Sequence, residues 1–434
     1  MTLAKKHIDN TWDFRTANTK EYTHCYHNYP AMMIPQIASR LITEYGRGAK
    51  TLFDPYCGTG TSLVEANING IDAYGTDLNP MAQLIAKAKT SKIELQILDL
   101  YLKEFNDYLF ALNFGIKKLN IIVPTFKNID FWFKEETKNT LAIIKQFIDN
   151  IKDKKVQRFF LVAFSETIRE SSLTRNSEFK LYRMSEKQRE NFNPDVFGMI
   201  NLKLVRNRIG LKNYIKKNQN SVNAHIYNFN SSENMNEIQK KSIDIVVTSP
   251  PYGDSRTTVA YGQFSRLSNQ WLGVEDASQI DNQLMGGRTK TIKETGIDII
   301  DKTIEIINKK DSKRAKEVYS FYSDYSKSIA NVSTVIKHNG YACYVVGNRR
   351  VKDTTLPTDE ITKCLFEKYG FKYKNTFIRN IPNKRMPSKN SPTNKIGKTA
   401  TTMNNEYIVI MQKQWKRITN KVRLWFSRPN IGTS

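Results

Sequence analysis

The stretch Ile243-Asp-Ile-Val-Val-Thr-Ser-Pro-Pro-Tyr252 changes character halfway along. Ile243 to Val247 is a short apolar, β-branched run of the kind that makes a buried parallel strand. It cannot continue through Pro250 and Pro251, because two successive prolines remove two backbone donors, fix φ and hold Ser249 extended as the residue before a proline. The result is a stiff loop at a strand's carboxyl end, where ligands bind in open α/β sheets. The loop offers a hydroxyl, carbonyls with no competing donor beside them and an aromatic face. These groups suit a planar base with an exocyclic amine: the hydroxyl and a carbonyl accept its two N–H bonds while the ring stacks on Tyr252. A proline-rich turn can also simply end a core strand, so the motif needs a second one beside it.

That second motif is Phe53-Asp-Pro-Tyr-Cys-Gly-Thr-Gly-Thr61. Lys50 to Asp54 reads as a strand, Pro55 to Thr61 as a glycine turn, Ser62 to Asn67 as a helix and Ile71 to Thr76 as a second strand. Such a βαβ opening implies a parallel sheet. The turn is wrong for a dinucleotide, since the third glycine of G-x-G-x-x-G would fall at Leu63, and it lacks the Gly-Lys-Ser/Thr of a phosphate-binding loop. It leaves a close backbone approach, an acid before the turn, and Asp77 at the end of the next strand, placed to accept both hydroxyls of a ribose. Asn79 and Pro80 then open a helix as cap and first residue. A ligand with a ribose, an adenine and a cationic amino-acid end but no phosphate fits, and S-adenosylmethionine is such a ligand.

The chain has 434 residues and 39% hydrophobic content, enough for two domains or one large domain with insertions. Lys plus Arg number 67 against 42 Asp plus Glu, a net charge of +25 that points to a polyanionic partner, nucleic acid before membrane. No apolar run approaches a membrane span and the N-terminus has no signal-peptide core, so a cytoplasmic protein is expected. Cys25, Cys57, Cys343 and Cys364 lack metal-ligand spacing, and no metal site is expected.

Residues 91–219 read as three to four helices inserted between the two motifs, with a basic later part. Strands resume at Ala224 to Phe229. A long Gly/Ser/Thr/Tyr stretch and a poorly patterned segment containing Gly286-Gly287-Arg288 follow the Pro-Pro loop; such length without periodicity is more often functional than idle. A helix carrying Val318, Phe321, Tyr325, Ile329 and Val332 is expected to end at Gly340, before a strand from Tyr341 to Val346. Helix Asp359 to Tyr369, strand Phe371 to Ile378, a basic loop and strand Glu406 to Met411 complete the pattern.

Taken together, the chain resembles the DNA amino-methyltransferases, which methylate the N4 amine of cytosine or the N6 amine of adenine. Asp54-Pro-Tyr-Cys-Gly-Thr-Gly-Thr61 looks like their cofactor loop, Asp77 like their ribose-binding acid, and Thr248-Ser-Pro-Pro-Tyr252 like their catalytic loop in its N4-cytosine form. Asn28-Tyr-Pro30 is similar to the segment closing over the methionine end of the cofactor. The resemblance covers residues 25 to 90 and 220 to 412. It implies a Rossmann-like S-adenosylmethionine-dependent α/β sheet with a terminal antiparallel hairpin, formed by residues 1–90 and 220–434, and a helical, basic DNA-recognition domain at 91–219. It also implies duplex DNA as partner and a cognate restriction endonuclease at the same site.

Ser249, Pro250, Pro251 and Tyr252 are the expected catalytic residues, acting on a flipped base without metal or covalent intermediate. Tyr29, Pro30, Asp54, Pro55, Tyr56, Gly58, Gly60, Thr61, Asp77, Leu78, Asn79 and Asn230 are expected around the cofactor, with Asn230 nominated for the adenine because the third strand ends in Asn228-Phe-Asn230 where the family often has an aspartate. Arg169, Arg175, Lys203, Arg206, Arg208, Arg256, Lys384 and Arg385 are the expected DNA contacts. The cofactor loop precedes the catalytic loop here, whereas many N4-cytosine enzymes carry them in the opposite order. Adenine-N6 transfer, tRNA guanine-N2 transfer and a non-catalytic nucleic-acid binder share parts of the pattern.

Overall fold

A computed structural model describes residues 6–116, 119–233, 235–253, 259–381, 389–390, 400–401 and 404–414. The strand that leads into the Pro-Pro loop lies near the middle of an eight-stranded sheet. In chain order the strands are β1 (Lys6–Ile8), β2 (Thr51–Asp54), β3 (Asp72–Thr76), β4 (Ala224–Tyr227), β5 (Ile243–Thr248), β6 (Ile336–Val346), β7 (Phe371–Asn380) and β8 (Asn405–Lys413). They pair in the order β1-β7-β8-β6-β5-β2-β3-β4. Pairings among β2 to β6 are parallel, β1 is parallel to β7, and β8 pairs antiparallel with both β6 and β7. Strand β8 therefore runs against all the others, and β7 with β8 forms the expected terminal antiparallel pair.

Alternation along the strands builds two cores. Ile245 and Val247 of β5, Cys343 and Val345 of β6 and Ile408 and Ile410 of β8 face the helices Pro35–Tyr45 and Thr61–Ile68. Val246, Ala342, Tyr344, Val409 and Met411 face the opposite way, against helices Asp298–Lys310, Ser312–Val335 and Thr358–Lys368. Both faces of the sheet are covered, as a parallel sheet requires. The βα turns place β2, β3 and β5 with their carboxyl ends at one edge, so both motifs meet there.

Two expectations are corrected. The helix Ser312–Val335 passes straight into β6 at Ile336, and Gly340 lies within that strand, where an added Cβ would stand 2.8 Å from the Asp244 carbonyl oxygen. The segment after the Pro-Pro loop holds helices Tyr261–Trp271 and Asp298–Lys310. The insertion contributes helices Leu95–Asn113, Glu135–Asn150, Lys154–Ser171 and Val196–Lys217, but it closes no core of its own. Leu98, Phe105, Leu141, Phe160 and Leu204 bury with Tyr26, Val64, Met81, Ile85, Leu267 and Trp271. Residues 91–219 thus pack onto the segments on either side of them. Among the described residues no helix is long and apolar enough to cross a membrane.

Candidate active site

At the carboxyl ends of β2, β3, β4 and β5 lies an open cavity. Tyr29 and Pro30 border it from the N-terminal segment, Asp54, Pro55, Tyr56, Gly58 and Thr61 from the first turn, and Asp77, Leu78 and Asn79 from the end of β3. Phe229, Asn230 and Ser231 close it behind β4, while Ser249 and Pro251 stand at its mouth beside Tyr261, Leu284 and Met285. The sequence motifs, far apart in the chain, converge on one space. Gly60 is not among the lining residues. It sits at φ 78°, the left-handed region, and its Cα faces Ala86, whose Cβ would be 3.0 Å from an added one. It lets the helix Pro80–Thr90 approach the turn closely.

Two carboxylates, Asp54 buried and Asp77 half-buried, organise the cavity and do different work. Asp54, 3% exposed, accepts from Thr248 Oγ1 at 2.5 Å, from the Tyr56 amide at 3.1 Å and from Ser62 Oγ. Its oxygens are engaged by the protein, and through Thr248 it fastens the Pro-Pro loop to the glycine turn. Asp77 accepts only two backbone amides, Gly58 at 3.1 Å on Oδ2 and Asn79 at 2.8 Å on Oδ1. Each oxygen keeps a lone pair for a ligand. Burial pushes both carboxyls up to about 6, the hydrogen bonds hold them down, and the nearby Asp54 charge adds to the rise at Asp77.

Other lining residues serve as supports. Asn79 caps its helix by accepting from the Met81 amide, and its Nδ2 donates to Tyr29 Oη at 2.8 Å and to Ser265 Oγ at 2.9 Å. Tyr29 in turn stacks on Tyr261, with ring centroids 6.0 Å apart. Thr59 Oγ1 donates to the sulfur of Met32, tying the N-terminal segment to the glycine turn. Tyr56 Oη donates to Ser328 Oγ at 2.5 Å. Asn230 is more committed than its nomination implied. Its Oδ1 accepts from the Ser232 amide at 3.0 Å and hydroxyl at 2.8 Å, and Nδ2 donates to Glu233, leaving one amide hydrogen for a ligand.

The catalytic loop reaches across to the antiparallel pair. Ser249 Oγ donates to Tyr252 Oη at a long 3.4 Å, Tyr252 Oη donates to Glu406 Oε1 at 2.8 Å, and Glu406 Oε2 accepts from Arg379. Arg379 is 4% exposed and also donates to the Trp12 carbonyl at 2.8 Å. With Tyr252 Oη as its partner, the Ser249 hydroxyl can spend its hydrogen there and keep its lone pairs to accept. Pro250 and Tyr252 do not line the cavity; the Tyr252 ring is half-buried beside it, held by its hydroxyl. Glu406 and Arg379 were missed from the sequence. The available signal was an acid in register with the buried Ile408 and Ile410 of β8.

Most of the expected DNA contacts on the insertion have acidic or carbonyl partners within the protein, and the packing shows why. Packing the insertion onto the sheet buries Glu166 and leaves Glu170 at its edge, and each acquires a basic partner. Arg206 pairs with Glu166 at 2.7 Å and donates to the Tyr26 carbonyl at 2.8 Å, and Lys203 pairs with Glu170 at 2.6 Å. Arg208 grips Asp99 through two nitrogens at 2.5 and 2.6 Å, joining two helices. Arg169 is 5% exposed, lies over the Phe264 ring and donates to the Phe264 and Glu178 carbonyls. Arg175 is exposed beside Glu178. Arg256, Lys384 and Arg385 lie outside the described residues.

A sheet of this order, a glycine turn followed by a free carboxylate, and a Ser-Pro-Pro-Tyr loop at the same mouth define a methyltransferase of exocyclic amines. The family pattern described as DNA methylase matches residues 243–428, and the chain belongs to the DNA amino-methyltransferases. It is 43% identical to Type II methyltransferase M.MvaI of Kocuria varians over 444 aligned residues, covering 94% of this chain and 96% of that one. Type II methyltransferase M.MjaII of Methanocaldococcus jannaschii is 28% identical over 35% of this chain and 30% of its own length. A SAM-dependent methyltransferase of Methanosarcina mazei aligns at a TM-score of 0.31 with 10% identity, over 89% of this chain and 99% of that one. The cofactor is S-adenosylmethionine. A cavity with a half-buried carboxylate held only by backbone amides among the described residues, and with aromatic walls, fits it.

Proposed function

We propose that this protein transfers a methyl group to the exocyclic N4 of a cytosine flipped out of duplex DNA, as the modification enzyme of a restriction system whose cognate endonuclease cuts the same site. The observation that carries this reading is Ser249: a hydroxyl at the cavity mouth, its hydrogen directed to Tyr252, followed by a proline without N–H. The cytosine amine is a poor nucleophile because its lone pair is conjugated with the ring. Ser249 Oγ and the Pro250 carbonyl would accept its two hydrogens, favouring a pyramidal nitrogen in line with the methyl. S-adenosylmethionine supplies that methyl on an electrophilic sulfonium. Acceleration then comes from orientation and fixed acceptors, and the base must leave the stack first. Asp77 would hold the ribose hydroxyls, Tyr29 and Pro30 the methionine end, and Arg175 a backbone phosphate. To test the reading, duplex pools are made with N4-methylcytosine in place of cytosine or N6-methyladenine in place of adenine. The first substitution should abolish uptake of labelled methyl and the second should leave it. The reverse pattern would replace this reading by adenine-N6 transfer.

The raised Asp77 carboxyl gives a pH prediction. Ribose hydroxyls donate best to the ionised form, so binding favours loss of the proton and tightens as pH rises through the folded value of about 6. Cofactor affinity should improve by about fivefold between pH 5 and 6 and by about tenfold in all by pH 7, where it levels off, with a proton released on binding at and below pH 6. Calorimetry in buffers of different ionisation heat measures both; a flat profile would dissociate Asp77 from binding.

Tyr252 has two separable roles in this reading, a face for the base and a hydroxyl in the relay. Tyr252→Phe keeps the ring and breaks the link to Glu406. It should slow single-turnover transfer by roughly tenfold, the size of one well-placed hydrogen bond, while a 2-aminopurine probe at the target still reports flipping. Tyr252→Ala should lose the flipping signal as well. Equal behaviour of the two variants would leave the relay without a function.

A further inference from the structure

The segment between helices Tyr261–Trp271 and Asp298–Lys310 is pinned at its backbone yet presents uncommitted side chains. Asp281 accepts from the Gly262 and Gln263 amides at 2.8 and 3.1 Å, clamping the segment to the start of the first helix. On its other side the Gly286 amide donates to Asp324 at 3.0 Å, the Lys290 amide donates to Ser320 Oγ at 2.7 Å, and Lys290 Nζ pairs with Asp324. Gly287 is packed so closely that an added Cβ would stand 2.3 Å from the Asp281 carbonyl oxygen. Leu284 and Met285 line the cofactor cavity. Immediately beside them Gln279, Gln283, Arg288 and Thr289 are exposed and line an open polar hollow with Asn282.

Among the described residues the side chains of Gln283, Arg288 and Thr289 make no hydrogen bond or ion pair. The contrast with four basic residues of the insertion bears on where a duplex would be read. There Arg169, Lys203, Arg206 and Arg208 are consumed by internal partners. Here a guanidinium fork and a carboxamide stand free on a pinned backbone, a few residues along the chain from Leu284 and Met285, which line the cavity. A flexible loop would have to be ordered on binding; this one is ordered already.

We propose that the hollow between Gln279 and Thr289 reads base edges of the DNA next to the target, with Arg288 and Gln283 as specificity-determining residues. The fork of Arg288 matches O6 and N7 of guanine, and the amide of Gln283 matches N6 and N7 of adenine. This inference rests on the reading of the protein as acting on duplex DNA. Its geometric basis is separate: pinned backbone, free donors and closeness along the chain to residues that line the cavity.

The test uses the full-length protein, S-adenosylmethionine and a pool of random-sequence duplexes, with methylated molecules captured and sequenced. Wild type yields a consensus. Arg288→Ala and Gln283→Ala should each relax that consensus at a base pair, reducing discrimination there by roughly 5- to 150-fold, with cofactor affinity unchanged. An intact consensus with uniformly weaker binding and a salt slope smaller by about 1 would make Arg288 a phosphate contact and overturn the inference. So would variants that match wild type in consensus and rate. Were the wild type to methylate no duplex in the pool, action on DNA would fall first and this inference with it.

Discussion

Asp77→Ala is expected to weaken S-adenosylmethionine binding by about 10²- to 10⁴-fold, the loss of two hydrogen bonds to a charged acceptor at about 1.5–3 kcal/mol each. Among the described residues the carboxylate's only protein partners are the backbone amides of Gly58 and Asn79. Removing it strips the ribose of its acceptor and leaves the two amides without theirs. Asp77→Asn separates these effects, because the amide oxygen keeps one backbone partner while the charge is lost; its affinity should fall between wild type and alanine. Asp54→Asn should behave differently. Asp54 accepts from Thr248, Ser62 and Tyr56, so its loss should loosen the catalytic loop and lower transfer rate more than cofactor affinity. Calorimetry measures the dissociation constants, and an Asp77→Ala variant that binds like wild type would remove the ribose assignment.

The second large effect is on the chemical step. Ser249→Ala removes one of two proposed acceptors for the amine hydrogens, and the single-turnover rate should fall by on the order of 10²-fold or more, as when one transition-state hydrogen-bonding group is deleted. Cofactor affinity should stay near normal, since Ser249 borders the cavity only at its mouth. The relay to Tyr252 and Glu406 makes the expectation sharper. With its hydrogen spent on Tyr252, the hydroxyl acts as an acceptor, so Ser249→Cys, a poor acceptor of similar shape, should be nearly as slow as alanine. A Ser249→Ala variant that turns over at the wild-type rate would show that the hydroxyl takes no part in transfer.

The elements that were legible are those specified by local chemistry. Proline pairs, glycine turns and β-branched runs act within a few residues, so β2, β3, β5 and the two loops between strand and ligand could be read directly. Their convergence on one cavity follows from parallel strand order. Strand β1 was not legible, because three residues with exposed side chains carry no apolar pattern and exist as a strand only through pairing with β7. The helix Asp298–Lys310 did carry a signal, Ile300, Ile304 and Ile307 at helical spacing, hidden in a segment that otherwise looked irregular. Charge was the least readable property. Arg169, Lys203, Arg206 and Arg208 have the same side chains as DNA contacts, and only the fold reveals Phe264, Glu170, Glu166 and Asp99 waiting for them. Likewise Glu406 lies 154 positions from Tyr252, too far for any local pattern to join them.

The most direct measurement is the identity of the methylated nucleoside. Duplex DNA treated with the protein and isotopically labelled S-adenosylmethionine is digested to nucleosides and resolved by mass spectrometry. The geometry of Ser249, with its lone pairs kept to accept beside a donorless proline, predicts label in N4-methyldeoxycytidine and its loss with Ser249→Ala. Label recovered as N6-methyldeoxyadenosine would contradict it.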